Sequence, residues 1–146
     1  MIQTIDASER EDRNWGMAAH LSALVGGMVL PFGHVIGPLA VYLANRDKRP
    51  LATEHAKASL NFQITLSIIY AVLIVALCVA YFGFIAAIVT SSQNQAPPIG
   101  VFAPIIVLIA ALIAVGLASI VFVIIGAVTA SHGRPYRYPF SIDFVK

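Results

Sequence analysis

The sequence predicts an all-α integral membrane protein. The expected form is a helical bundle of two long transmembrane helices, preceded by a hydrophobic region that proline and glycine break. Three observations lead there. First, 59% of the 146 residues are hydrophobic and only 11% are charged, against about 45–50% and about 25% in a typical soluble domain. Second, all formal charges fall in three windows, residues 1–13, 46–57 and 134–146. Between them the whole of Asn14–Asn45 and the much longer Ala58–Gly133 hold no Asp, Glu, Lys or Arg. A soluble fold cannot leave so long a run uncharged and still present a solvated surface. Third, the uncharged runs have the lengths and punctuation of membrane helices. A soluble enzyme, a nucleic-acid binder and a disordered chain are all disfavoured.

The windows divide the chain into a polar N-terminal tail (1–13), a membrane domain (14–133) and an aromatic interfacial strap (134–146). The tail carries four acids and two arginines and reads as flexible or loosely helical. No cleavable signal peptide is expected, because no small-residue cleavage site leads into a polar mature domain.

The first apolar region, Trp15–Ala44, is interrupted at Pro31-Phe32-Gly33 and again at Gly37-Pro38, so a helix should break near Leu30. The pieces Trp15–Leu30 and Phe32–Leu43 would reach about 24 and about 18 Å at 1.5 Å per residue, short of a hydrocarbon core about 30 Å thick. Two arrangements remain open: a single kinked span or a hairpin of short helices. The linker 45–57 follows, with Thr53 as an expected N-cap and Glu54 at the positive helix end.

The second long helix is expected from Thr53 to about Val89, with Tyr81, Phe82 and Phe84 marking its far interface. Residues 90–100 hold Pro97-Pro98 and Gly100 and read as a loop. The third apolar helix should run from about Phe102 to Ala130 and stop at Gly133. Leu, Ile, Val and Phe make up most of Ile105–Val128, a composition that favours insertion into lipid. In the strap, Tyr136, Tyr138, Phe140, Ile142 and Phe144 alternate with other residues. This period of two predicts an extended segment with one aromatic face, and Pro139 bars it from a central strand.

Basic residues set the expected orientation. The linker has four, the strap three and the 90–100 loop none, so linker and C-terminus face the cytoplasm and the loop lies outside. The hairpin reading puts the N-terminus inside, the single span outside.

Little in the chain points to chemistry. His20, His34, His55 and His132 form no HxxxH or HExxH pair and read as interfacial or helix-end groups. The lone Cys78 allows no intramolecular disulfide and reads as a small buried hydrophobe. No GxSxG, GxGxxG or phosphate loop occurs. No charge lies deep in a span, which counts against a proton-coupled pump. No cofactor or metal is expected. Glu54, Lys57, Asn61 and Thr65 share one helix face leading into the bilayer, with Gln63 on another face. This stripe reads either as interhelical hydrogen bonding or as the mouth of a polar pathway or partner site. Ala110, Ala114 and Ala118, continued by Gly126 and Ala130, allow close helix approach, within the chain or between copies.

Residues 31–64, PFGHVIGPLAVYLANRDKRPLATEHAKASLNFQI, together with the tail motif Tyr136-Arg137-Tyr138-Pro139, resemble a widespread bacterial family of small membrane proteins of undefined function. That family is itself similar to the twenty-kilodalton membrane subunit of the chloroplast inner-envelope import translocon. The likeness covers about Trp15 to Lys146. His34 and Ala56 depart from its pattern, where Asn and Gly would be expected. The resemblance implies a polytopic helical bundle of the bacterial inner membrane with polar termini inside and, by analogy, a link to protein translocation.

The expected function is therefore a non-enzymatic interaction or assembly module. Glu54, His55, Lys57, Asn61, Gln63, Tyr136, Arg137 and Tyr138 are the candidate contact residues. Expected partners are the lipid bilayer and other membrane proteins or further copies of the chain, and no nucleic acid. The alternative is an oligomeric channel or facilitator for a small solute. An enzyme would need Glu54, His55 and His132 in one pocket.

Overall fold

A computed structural model describes residues 6–90 and 99–146. Its elements are α1 (Ala7–Val29), α2 (Gly33–Asn45), α3 (Pro50–Thr90), a 3₁₀ turn (Ile99–Phe102) and α4 (Ala103–Ser131). No strand occurs among the described residues, and the all-α expectation holds. Most of the loop expected at 90–100 lies outside the described residues. The chain forms two compact units, Met1–Leu66 with Ser119–Lys146, and Ser67–Ala118. The first, called the base here, contains all three charged windows; the second carries no Asp, Glu, Lys or Arg.

Within the base, α1 and α2 pack against each other as an antiparallel hairpin. Ala19 and Val41 meet in one apolar cluster with Ala56 of α3, flanked by Trp15 and Tyr42. Closer to the turn, Gly26 and Gly33 touch backbone to backbone, so that a methyl group on either would collide with the other's carbonyl. The reversal is made by Leu30, Pro31 and Phe32. Phe32 takes the left-handed conformation (φ 61°), uncommon for a bulky residue. Hydrogen bonds Leu30 N–H to Gly26 O (3.0 Å) and Gly33 N–H to Leu30 O (2.9 Å) close the turn. The hairpin is thus the arrangement adopted, and the single kinked span is not.

The charged N-terminal window is not a separate tail from Ala7 onward. The expected boundary at residue 13 falls inside α1, because its charges have partners. Arg13 bonds Glu9 one turn back at 2.5 Å, and Glu11 pairs with Arg49 of the linker. Asp12 accepts from the backbone N–H groups of Leu51 (3.3 Å) and Ala52 (2.8 Å). These are orphan donors of the first turn of α3, so Asp12 caps α3 from a different helix. Pro50 opens α3, where its missing N–H costs nothing. Thr53 is therefore not the N-cap; it sits inside the helix and donates its hydroxyl to Arg49 O (2.7 Å) and Asn45 O (3.0 Å).

α4 ends where Gly133 predicts. Gly133 is left-handed (φ 69°), its N–H bonds Ala130 O at 2.9 Å, and the N–H of Arg134 reaches back to Thr129 O at 3.2 Å. That pair of bonds is a Schellman ending. α3 and α4 are both long and apolar enough to cross a membrane.

In the uncharged unit, Val72, Val75, Val79, Ile106, Val107 and Leu117 are more than half exposed, as side chains facing lipid would be. Tyr81 and Phe82 are exposed, and Phe84 packs on Phe102 with centroids 4.7 Å apart. Cys78 is exposed rather than buried. Ala110, Ala114 and Ala118 are exposed too, whereas Gly126 and Ala130 are buried. Close packing thus uses only the Gly126–Ala130 end of the small-residue series.

The hairpin closure is directly testable. Gly26→Val should force α1 and α2 apart, at a cost of about 1–3 kcal/mol as in other overpacked cores. In a Cys78→Ala background, cysteines at Ala19 and Val41 should crosslink readily, and adding Gly26→Val should cut that yield and lower the unfolding temperature. Unchanged crosslinking would contradict the backbone contact.

Candidate functional site

The centre of the base is a chain of hydrogen bonds through two buried imidazoles. His20 of α1 and His55 of α3 are both 0% exposed. His20 Nε2 lies 2.8 Å from His55 Nδ1, and His20 Nδ1 lies 2.7 Å from the Tyr138 hydroxyl. His55 Nε2 lies 3.0 Å from the carbonyl oxygen of Arg134. With neutral rings the network assigns every proton. A carbonyl only accepts, so His55 Nε2 donates to Arg134 O and His55 Nδ1 accepts. His20 Nε2 then donates to His55, His20 Nδ1 accepts, and Tyr138 donates its O–H to it. Burial pushes the Tyr138 hydroxyl well above the ordinary phenol range, so it keeps the proton it donates.

Sequence provides the room for these rings. Gly126 of α4 sits where a Cβ would be 3.0 Å from the His20 ring and 3.1 Å from Tyr136, and Gly16 sits where one would be 3.2 Å from His55. Tyr138 stacks on Phe62, with centroids 4.0 Å apart and planes 11° from parallel. Tyr136 meets His20 edge-on at 6.1 Å, and partial burial raises its hydroxyl too.

The strap is held onto α3 by two side chains of the polar stripe. Asn61 donates to Val145 O (3.0 Å) and accepts from the N–H groups of Phe144 (3.1 Å) and Val145 (2.8 Å). Thr65 accepts from Ile142 N–H at 3.0 Å. The asparagine amide thus serves the strap backbone as a neighbouring strand would. The expected single aromatic face is broken at Phe140, which is left-handed (φ 61°) and 90% exposed. Tyr138 points into the base, while Phe140, Ile142 and Phe144 point out.

Between the strap and the start of α3 lies a groove of about 350 Å³, lined by Glu54, Lys57, Asn61, Tyr136, Arg137 and Asp143 together with Val145 and Lys146. Five of the eight sequence candidates, Glu54, Lys57, Asn61, Tyr136 and Arg137, therefore come together around one groove. Asn61 lines the groove but is itself buried (3% exposed) and tied to the strap, and the other three candidates, His55 (0%), Gln63 (5%) and Tyr138 (6%), are buried in the packing of the base rather than on a contact surface. The linker bases are also partly committed, since Arg49 bonds Glu11 and Asn45 and lies 5.9 Å over the Trp15 ring.

Glu54, His55 and His132 do not make one pocket. Glu54 lines the groove, His55 is buried in the imidazole chain, and His132 is exposed and bonds Val128 O at 2.7 Å through Nδ1. Among the described residues no group of three or more His, Cys, Asp or Glu is placed to hold a metal ion. His20 is the residue that sequence reasoning missed. Its signal was present: an imidazole inside an uncharged apolar run must find a polar partner. The identity of that partner, 35 positions away, was not readable from spacing.

A membrane protein with two span-length helices and a polar base is the class these features define. Within it, the chain belongs to the magnetosome magnetite crystal formation protein family (MamF/MmsF), whose sequence profile matches residues 11–145. No curated protein and no solved structure matches the chain. The resemblance to the chloroplast translocon subunit finds no support in these comparisons.

Two variants separate the roles in this site. Tyr138→Phe keeps the stack on Phe62 but leaves His20 Nδ1 without its donor, and should lower stability by about 1–3 kcal/mol, the usual cost of orphaning a buried polar group. Thermal unfolding in detergent measures it. Asn61→Ala should instead release the strap: residues 141–146 should become sensitive to carboxypeptidase while the helical circular dichroism is retained. Equal protease resistance in the variant would refute the role given to Asn61.

Proposed function

We propose that the protein is a non-enzymatic assembly module of a bacterial membrane, in which α3 and α4 cross the bilayer and the base presents a charged contact face on the cytoplasmic side. The observation that carries this reading is the gathering of all three charged windows into the base, leaving the unit of residues 67–118 uncharged. The linker and strap hold seven of the nine basic residues, which favours the cytoplasmic side. The hairpin supports an N-terminus on that same side, because Glu11 and Asp12 meet Arg49, Leu51 and Ala52.

Family membership supports a magnetosome-membrane setting. Within that setting, a part in crystal formation would run through membrane and protein contacts rather than through an acidic mineral-binding surface. Three carboxylates near the N-terminus are already engaged: Glu9 with Arg13, Glu11 with Arg49, and Asp12 with the start of α3. α1 and α2 meet backbone to backbone at Gly26 and Gly33, so the hairpin offers a packed wedge rather than a channel wall. That weighs toward assembly over the facilitator alternative.

The test is a photo-crosslinking residue at Arg137, which is exposed and lines the groove, compared with one at Val72, which is exposed on the uncharged unit. In native membranes the Arg137 probe should give discrete protein adducts beside lipid adducts, and the Val72 probe lipid adducts alone. Alanine at both Glu54 and Lys57 should reduce the protein adducts. Reporter fusions at both ends should read cytoplasmic. The same adduct pattern from both probes, or an external N-terminal reporter, would overturn the reading.

A further inference from the structure

We propose that the groove between the strap and α3 binds the headgroup of a zwitterionic, primary-amine phospholipid. Lys57, Arg137 and Lys146 would hold the phosphate, and Glu54 and Asp143 the ammonium. This deepens the contact-face reading above by naming the chemistry met at the groove, and it rests on that reading for the position of the base at the membrane surface.

Three observations carry it. The first is charge. The groove is lined by three cations and two carboxylates, and none of the ion pairs of the described residues joins them to one another. The Lys57 ammonium instead lies over the Tyr42 ring, 5.9 Å from its centroid. Opposite charges that converge on one space without closing onto each other match a ligand that carries both signs. A simple anion would leave the carboxylates opposed, and a simple cation would leave the bases opposed.

The second is depth. Lys57 is the last charged residue of α3, which then runs uncharged from Ala58 to Thr90. Arg134 is the first charge after α4. The groove-lining stretch therefore lies where the chain passes from charged to apolar, which is the headgroup level of a bilayer. The third is the outward side of the strap. Phe140, Ile142 and Phe144 are 90%, 55% and 47% exposed, and Asp143 and Val145, which alternate with the last two, line the groove. Exposed aromatic residues beside basic ones are the usual anchors at a membrane interface. The groove volume, about 350 Å³, is at the small end of the range of about 300–1,000 Å³ typical of small-ligand sites, which suits a headgroup rather than a whole lipid.

The experiment is native mass spectrometry of the full chain, released from nanodiscs of equimolar phosphatidylethanolamine, phosphatidylglycerol and phosphatidylcholine. The intact protein should retain phosphatidylethanolamine roughly tenfold over phosphatidylcholine, whose quaternary amine cannot donate to Glu54 or Asp143, and should also retain it over phosphatidylglycerol. Glu54→Gln with Asp143→Asn should abolish that preference and leave phosphatidylglycerol equal or ahead. Lys57→Gln with Arg137→Gln should reduce retention of all three lipids. Free glycerophosphoethanolamine should compete, and its failure to do so would overturn the proposal, as would competition by inorganic phosphate at equal strength, which would show a plain anion site. Equal retention of all lipids, or a preference that survives Glu54→Gln with Asp143→Asn, would overturn it too. All four side chains line the open groove, and circular dichroism with thermal unfolding confirms that the variants fold. Loss of lipid preference with intact Arg137 adducts would reject this proposal alone. Lipid preference without protein adducts would reject the assembly reading instead.

Discussion

Two fully buried imidazoles are the constraint around which the base is organised. A buried polar ring without partners costs several times what an ordinary contact contributes. His20 and His55 can therefore be fully buried only if each ring nitrogen is matched. Each one is: to the other ring, to the Tyr138 hydroxyl and to the Arg134 carbonyl. Those partners lie on α1, α3 and the strap, and α4 contributes the space at Gly126. Four segments are thereby held to one mutual position. The donor directions are fixed as well, since the chain of bonds begins at a hydroxyl and ends at a carbonyl that can only accept.

The rest of the base repeats that logic with weaker groups. Asp12 supplies α3 with its missing N-terminal acceptor, Asn61 supplies the strap with a substitute backbone, and Asn45 accepts from Arg49 while its own amide bonds Val41 O. In each case a backbone or side-chain donor left over by one element is satisfied by a side chain from another. Such ties let a short chain build a defined polar region with a small apolar core. Outside these ties stand the charged side chains lining the groove: Glu54, Lys57, Arg137, Asp143 and Lys146 enter none of the ion pairs of the described residues.

Much of the fold was legible beforehand. The uncharged runs announced α3 and α4, Pro31-Phe32-Gly33 announced the break, and Gly133 announced the end of α4. These are local signals, because hydrophobic run length and backbone-restricting residues act within a few positions. The errors share one cause. Thr53 looked like an N-cap because a cap is normally local, but Asp12 does that work from 40 residues away. The 1–13 window looked like a tail because its charges had no visible partners. The strap's alternation predicted one aromatic face, and the left-handed Phe140 divides it.

Of the candidate site, the polar stripe was half readable. Spacing alone put Glu54, Lys57, Asn61 and Thr65 on one face, and the structure uses that face for two purposes, groove lining and strap docking. His55 and Tyr138 were singled out but assigned to the wrong side, since a side chain's burial depends on what packs over it. The sequence by itself determined the class of protein, its two long apolar helices and the position of the break, because composition and local backbone preference depend on neighbouring residues only. Only the tertiary structure decided that the first region reverses into a hairpin, that the three charged windows meet, and that two histidines 35 positions apart share a hydrogen bond. Those outcomes depend on matching donors to acceptors across long sequence separations, and no local pattern records that pairing.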